Sequence, residues 1–285
     1  MRWRKVEGKS HVEDRRRPGG KAVGGAAVGG MGIVALLVAL FFGGGEGGFN
    51  VEDVFGQLAA PEAPAGEDLS SAPDPDAELV DFMTYLDFDI QETWTAVFAS
   101  VDRVYSPATF VLFTDSTASA CGGATAAIGP HYCSLDSHVY LDLDFFTTLQ
   151  QQFGAAGDFA QAYVVAHEYA HHVQNELGIM SEVQDLQGSA NVEDRNALSV
   201  RQELQADCLA GVWAHSAAAD LEPGDIEEAL TAAAAVGDDR IQQTTQGYVN
   251  PHTFTHGTSE QRVNWFNRGF ESGDPNQCDT FSGGI

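Results

Sequence analysis

Residues 158–178 read DFAQAYVVAHEYAHHVQNELG. The apolar run, the acid at its start and the glycine at its end predict one helix over 159–177. Asp158 with Gln161 three residues on has the form of a capping box, and Gly178 supplies the stop. Residues four apart on a helix share a face, so His167 and His171 point together. His172 lies about 140° round from His167 at 3.6 residues per turn and cannot join them. The pattern is H-E-x-x-H: two imidazoles toward one metal, and Glu168 placed to reach a water beside it as general base. Glu176, a turn further on, reads as a solvated helix acid.

Two imidazoles do not complete a catalytic zinc site, which takes three protein ligands and leaves one position open. Position 177, where a third histidine would extend the motif, is Leu. Glu182 lies just past the helix stop. The segment RQELQAD (201–207) offers more: Glu203 and Asp207 are four apart on a second predicted helix over 198–218. Flanked by Leu204, Ala206 and Cys208, they suggest a semi-buried face that needs a partner. Glu203 is then the third ligand. Asp207 stands behind the metal and accepts a hydrogen bond from the far nitrogen of His167. The plain alternative is a pair of solvated acids. With Zn2+ held by two neutral imidazoles and one carboxylate, the site keeps a net positive charge. A water there becomes acidic near neutral pH, and Glu168 can carry its proton to a leaving amine.

Around these helices the pattern is mixed. Residues 77–99 carry apolar side chains at helical spacing. TFVLFT (109–114) and HVYLDL (138–143) read as strands, and CSLDS (133–137) as a turn making a hairpin of HYC with HVYLDL. Asp225 with Glu228 opens a further helix ending near Gly237, and Thr258 with Gln261 opens the last. The class is α+β, mostly helical with a small antiparallel or mixed sheet, over residues 77–285. His256, just before the last helix, is a candidate donor to a developing oxyanion; a structural loop histidine is the alternative. Tyr132 and Tyr140 are weaker candidates, and Trp265, Phe266 and Phe270 read as core.

The N-terminal part differs in composition. Eight of the 14 basic residues fall in the first 21, while the remainder carries six arginines against 38 acids, within a net charge of −27. Such a surface excludes nucleic acid as a partner. Residues 22–45 are uncharged, and as a helix would span about 36 Å, enough for a bilayer core. The reading is a cytoplasmic basic tail (1–21), a single transmembrane helix (22–45), a Pro-, Ala- and Gly-rich acidic linker (46–76) and a domain outside the cytoplasmic membrane. A cleaved signal peptide competes with the anchor. Four cysteines suit an oxidising compartment and allow three pairings. Cys121 and Cys133 enclose a short loop, and Cys208 with Cys278 would tie the C-terminal tail to a helix; buried free thiols are the alternative.

Taken together, VEDRRRPGG (12–20), ACGGATAAIGPHYC (120–133), VYLDLDFF (139–146), AHEYAHHVQNELGI (166–179), LSVRQELQADCLAGVWAH (198–215) and FTHGTSEQRVNWFNRGFESGDPNQCDTF (254–281) resemble the bacterial neutral zinc metallopeptidase family. The resemblance covers nearly the whole chain except 46–76. It implies a membrane-anchored, zincin-like zinc peptidase acting on a peptide or protein substrate. ELQAD is also similar to the gluzincin E-x-x-x-D element, which implies the same roles for Glu203 and Asp207. It further implies an edge strand, here HVYLDL, that pairs with substrate backbone. Two other readings remain open: a non-catalytic zinc-binding envelope protein, and a zinc hydrolase of cell-wall amide bonds.

Overall fold

The computed structural model describes residues 1–7, 10–16 and 74–285. The uncharged run 22–45 and nearly all of the linker lie outside the described residues. Among the described residues no helix is long and apolar enough to cross a membrane. The chain runs β1 (Val12–Asp14), α1 (Ala77–Ala99), β2 (Thr109–Phe113), β3 (Ser116–Ser119), β4 (Gly122–Thr125), β5 (His131–Cys133) and β6 (His138–Asp142). Next come α2 (Asp144–Phe153), α3 (Asp158–Glu176), α4 (Ile179–Ser189), α5 (Val192–Ser216), α6 (Asp225–Ala235), α7 (Asp238–Gln246) and α8 (Ser259–Ser272). The α+β class holds.

Four strands form one sheet in the order β1-β2-β6-β5. β1, β2 and β6 are parallel, and β5 pairs antiparallel with β6. HVYLDL is therefore not an edge strand: β6 is hydrogen-bonded on both sides, and the edge falls to His131–Cys133. The turn over CSLDS produces that order, since it folds β5 back onto β6 and leaves β5 outermost. β3 and β4 form a separate hairpin within the glycine-rich cysteine loop.

α3 packs against β5 and β6 and against α1, α5 and α6. Its two faces divide accordingly. Tyr169 stacks edge-on to Phe110 of β2, while His167 and His171 turn toward α5. In α1 the residues Phe82, Leu86, Ile90, Trp94 and Phe98 recur every fourth position and all are buried, the stripe an amphipathic helix needs. Asp87 is also fully buried there; it accepts from Tyr169 Oη (2.5 Å), Gln91 Nε2 (2.6 Å) and the His11 amide (3.1 Å). Burial raises its carboxyl above the usual carboxylate range, although these donors pull it down.

Three local expectations change. Asp158 is the first residue of α3 rather than its cap, so there is no capping box: the residue before the helix is Gly157, and the free Phe159 amide donates to Glu228 of α6 (3.1 Å). The helix carrying Glu203 begins earlier than 198, at Val192, because Asn191 caps it through the Asp194 amide (2.9 Å). Glu182 sits in the first turn of α4 rather than in a loop. The capping box of Thr258 with Gln261 is present as read. Cys121–Cys133 and Cys208–Cys278 are both bonded.

Among the described residues, 1–7 and 10–16, which look like part of a detached tail in the sequence, pack on the domain. Trp3 lies against Phe82 and Tyr85, and β1 extends the sheet beside β2. The Met1 amine reaches Asp158 at 2.7 Å and Asp225 at 3.3 Å.

α5 and α8 meet at two glycines. A Cβ on Gly269 would lie 1.9 Å from the Cys208 carbonyl oxygen, and one on Gly211 would lie 2.1 Å from that of Phe266. This close approach sets the distance between the two helices. Gly269→Ala should separate them and cost about 1–3 kcal/mol, as overpacking does; chemical denaturation would show it, and an unchanged midpoint would contradict the packing. Protonated Asp87 contributes stability that is full below its unfolded value of about 3.9 and is lost as pH rises through the higher folded value. Asp87→Asn should therefore gain on the parent as pH rises from acid to neutral, and a constant difference across that range would count against a costly buried charge.

Candidate metal centre

α3 brings His167 and His171 to one face, their rings 4.8 Å apart. α5 crosses that face and presents Glu203, whose Oε2 lies 3.0 Å from His167 Nε2 and whose Oε1 lies 3.4 Å from His171 Nε2. One donor atom from each of the three falls within 4.8 Å of the others. The three residues named from the sequence as ligands are brought together in the structure. His167, Glu168 and His171 are buried, and all line a cleft of about 440 Å³ that His256 also borders.

The far nitrogens test whether the set suits a metal. His167 Nδ1 donates to Asp207 Oδ1 at 2.9 Å, and His171 Nδ1 donates to Gln174 Oε1 at 2.9 Å. Each acceptor holds a proton on Nδ1, so Nε2 is the nitrogen turned to the shared point and able to bind a metal once its own proton leaves. Two such imidazoles and one carboxylate are a borderline-soft set suited to zinc.

Asp207 does more than the sequence implied. Its fully buried carboxylate also accepts from Tyr163 Oη (2.5 Å) and from Arg262 Nε and Nη2 (2.8 and 2.9 Å). Burial would raise its pKa; the Arg262 guanidinium and then His167 overcome that and hold it below the usual range. Burial likewise lowers His167, but Asp207 and Glu203 outweigh it and push it up to about 10. Glu203 is driven far the other way against its own burial, chiefly by His171 and His256. Without a metal the site thus holds protons, which any metal must displace.

Sequence reasoning missed Arg262, Gln174, Tyr163 and Asp238. Arg262 left a signal, since an arginine amid Val263, Trp265 and Phe266 on an amphipathic helix calls for a buried acid. Gln174 stands three residues after His171, hence on its face, but a glutamine there reads equally well as solvated. His256 is held by Asp238 at the start of α7: Asp238 Oδ2 accepts the amides of Thr255, His256 and Gly257 at 2.7, 2.6 and 3.0 Å, and Oδ1 lies 3.3 Å from His256 Nδ1. Burial lowers the His256 pKa, yet Glu203 and Asp238 bring it above the ordinary value.

His172 turns to the opposite side, donating from Nε2 to the Ser106 carbonyl (2.7 Å) and accepting at Nδ1 from Tyr132 Oη (3.0 Å). Tyr132 borders the cleft, but its hydroxyl is committed to His172 and to Asn175. The Tyr140 hydroxyl is bound to Asp136. Glu176 is half-buried and accepts the Ser106 amide at 3.2 Å, so it is not merely solvated. Trp265 and Phe266 are core, as read.

Two imidazoles from an H-E-x-x-H helix and a carboxylate from a second helix make a candidate metal centre. The chain belongs to the family described as "Putative neutral zinc metallopeptidase", whose model matches residues 1–281. It is similar to Uncharacterized protein YpfJ of Escherichia coli K12, 43% identical over 291 residues and the full length of both chains. It is also similar to Uncharacterized protein Rv2575 of Mycobacterium tuberculosis H37Rv, 49% identical over 204 residues, covering 64% of this chain and 68% of that one. No solved structure matches.

If Asp207 orients His167, Asp207→Asn should weaken zinc binding about 10–100-fold. Competition against a chelator would measure it; parent-like affinity would remove Asp207 from that role.

Proposed function

We propose that this protein is a zinc-dependent peptidase, with His167, His171 and Glu203 as metal ligands and Glu168 as general base. The observation that carries the reading is the convergence of three oriented donor atoms on the cleft wall with Glu168 beside them. Family membership supports the metal. Bound zinc would supply a Lewis acid that polarises a scissile carbonyl and acidifies a water.

The chain's own groups supply the rest. Glu168 comes directly after His167 on the helix, so its carboxylate stands next to the ligand set without joining it. There it takes the proton of the attacking water and passes it to the leaving amine. His256, braced by Asp238, faces the Glu203 side of the cleft and donates to the oxygen that gains charge. Substrate backbone pairs with the open side of β5, whose His131 and Tyr132 line the cleft. Phe145, Leu149, Phe153, Val164 and Ile241 give the cleft an apolar wall, which favours an apolar side chain next to the cut bond.

Glu168→Gln keeps the shape of the side chain and removes its basicity. Hydrolysis of a peptide library by the zinc-loaded full chain should fall by at least about 100-fold, the usual weight of general-base catalysis, while bound zinc stays at the parent level. A variant that cleaves as the parent does would sink the assignment.

A further inference from the structure

The apolar run 22–45 reads as a single membrane crossing, which would put residues 1–21 and the domain on opposite faces of a bilayer. The packing of the described N-terminal residues is at odds with that. Arg16 and Asp74, the last described residue before the gap and the first after it, touch: Arg16 Nη2 lies 2.8 Å from Asp74 Oδ2, and Nη1 lies 3.3 Å from Asp76 Oδ2. Separation by a hydrocarbon core would require about 30 Å.

Contact is not confined to that clamp. β1 adds a parallel strand to β2 over Val12–Asp14, and the Arg15 amide continues the ladder to the Leu112 carbonyl (2.7 Å). Trp3 packs on Phe82 and Tyr85 of α1, with ring centroids 5.4 and 6.4 Å apart. Lys5 Nζ pairs with Asp81 at 2.7 Å. The His11 amide serves a carboxylate that is wholly buried in α1, Asp87. Removing that donor would leave the acid with one fewer partner away from water, a costly change. Charge agrees: eight basic and three acidic residues in the first 21 meet a remainder with six arginines and 38 acids.

We propose that residues 1–7 and 10–16 are a permanent part of the folded domain and lie on the same side of any membrane as it does. The two disulfides extend the point. If the domain matures where disulfides form, the basic N-terminal residues are there too, and the rule that sets basic flanks in the cytoplasm misleads for this chain. The proposal stands whether or not the cleft hydrolyses peptides.

The test uses the full chain in membranes prepared from cells expressing it. A carbodiimide joins only amines and carboxyls already in contact. The protein has three lysines, Lys5, Lys9 and Lys21, so a Lys5–Asp81 isopeptide found by peptide mass spectrometry in monomer-sized material is diagnostic. In parallel, Glu7→Cys and Val104→Cys, both exposed and remote from the cleft, are treated separately with a membrane-impermeant maleimide on intact spheroplasts. We expect the Lys5–Asp81 link, and the same labelling outcome at both positions. Labelling at one position but not the other would overturn the proposal. So would absence of the link in disulfide-intact protein, or a link found only in dimers, which would mean docking onto a second copy.

Discussion

Asp207 is sealed from water and receives four hydrogen bonds, from Tyr163 and His167 on α3 and two from Arg262 on α8. An uncompensated carboxylate at that depth would be strongly destabilising, so three helices must meet correctly for the charge to be tolerated. The glycine contact of Gly269 with α5 allows the meeting, since a wider gap would draw Arg262 away from its acid. Fold and site therefore share one constraint. The same bonds that make the buried charge acceptable also fix the ring of His167.

Arg262 has an electrostatic consequence for the neighbouring donors. Asp207 alone would add a full negative charge close to His167 and Glu203, and in a medium of low polarisability that charge would be felt strongly. The guanidinium cancels it, so Asp207 can orient an imidazole without making the ligand set more anionic. His171 is oriented differently, by the neutral amide of Gln174. Gln174 in turn donates to Gln205 Oε1 (3.0 Å), and Gln205 donates to the Cys278 carbonyl (3.1 Å). One imidazole is held through an ion pair, and the other through a chain of amides ending beside a disulfide.

Much of this was legible in the sequence because it depends on local spacing. The i, i+4 pairs His167–His171 and Glu203–Asp207 state which groups share a face, and an isolated acid pair next to Cys208 and Ala206 states that the face is covered. The strands TFVLFT and HVYLDL were legible from β-branched and aromatic content. Sheet order was not: whether β6 lies inside or at the edge depends on the Cys133–His138 turn and on β1, which stands far before β2 along the chain. Three helices escaped for a different reason. α2, α4 and α7 are short, and DDRIQQTTQ in particular has little apolar content, so tertiary contact rather than periodicity supports it. The packing of the described N-terminal residues on the domain was not legible, because Trp3 and His11 carry no local sign of the partners they find in α1.

The amide chain from His171 to Cys278 also bears on when the centre becomes complete. A growing polypeptide extended only through α5 already contains both imidazoles, Glu168 and Glu203. It lacks Arg262, the guard on Asp207, and it lacks the carbonyl that holds Gln205. The bracing of both imidazoles therefore rests on residues far along the chain from them, Arg262 for His167 and the Cys278 carbonyl for His171.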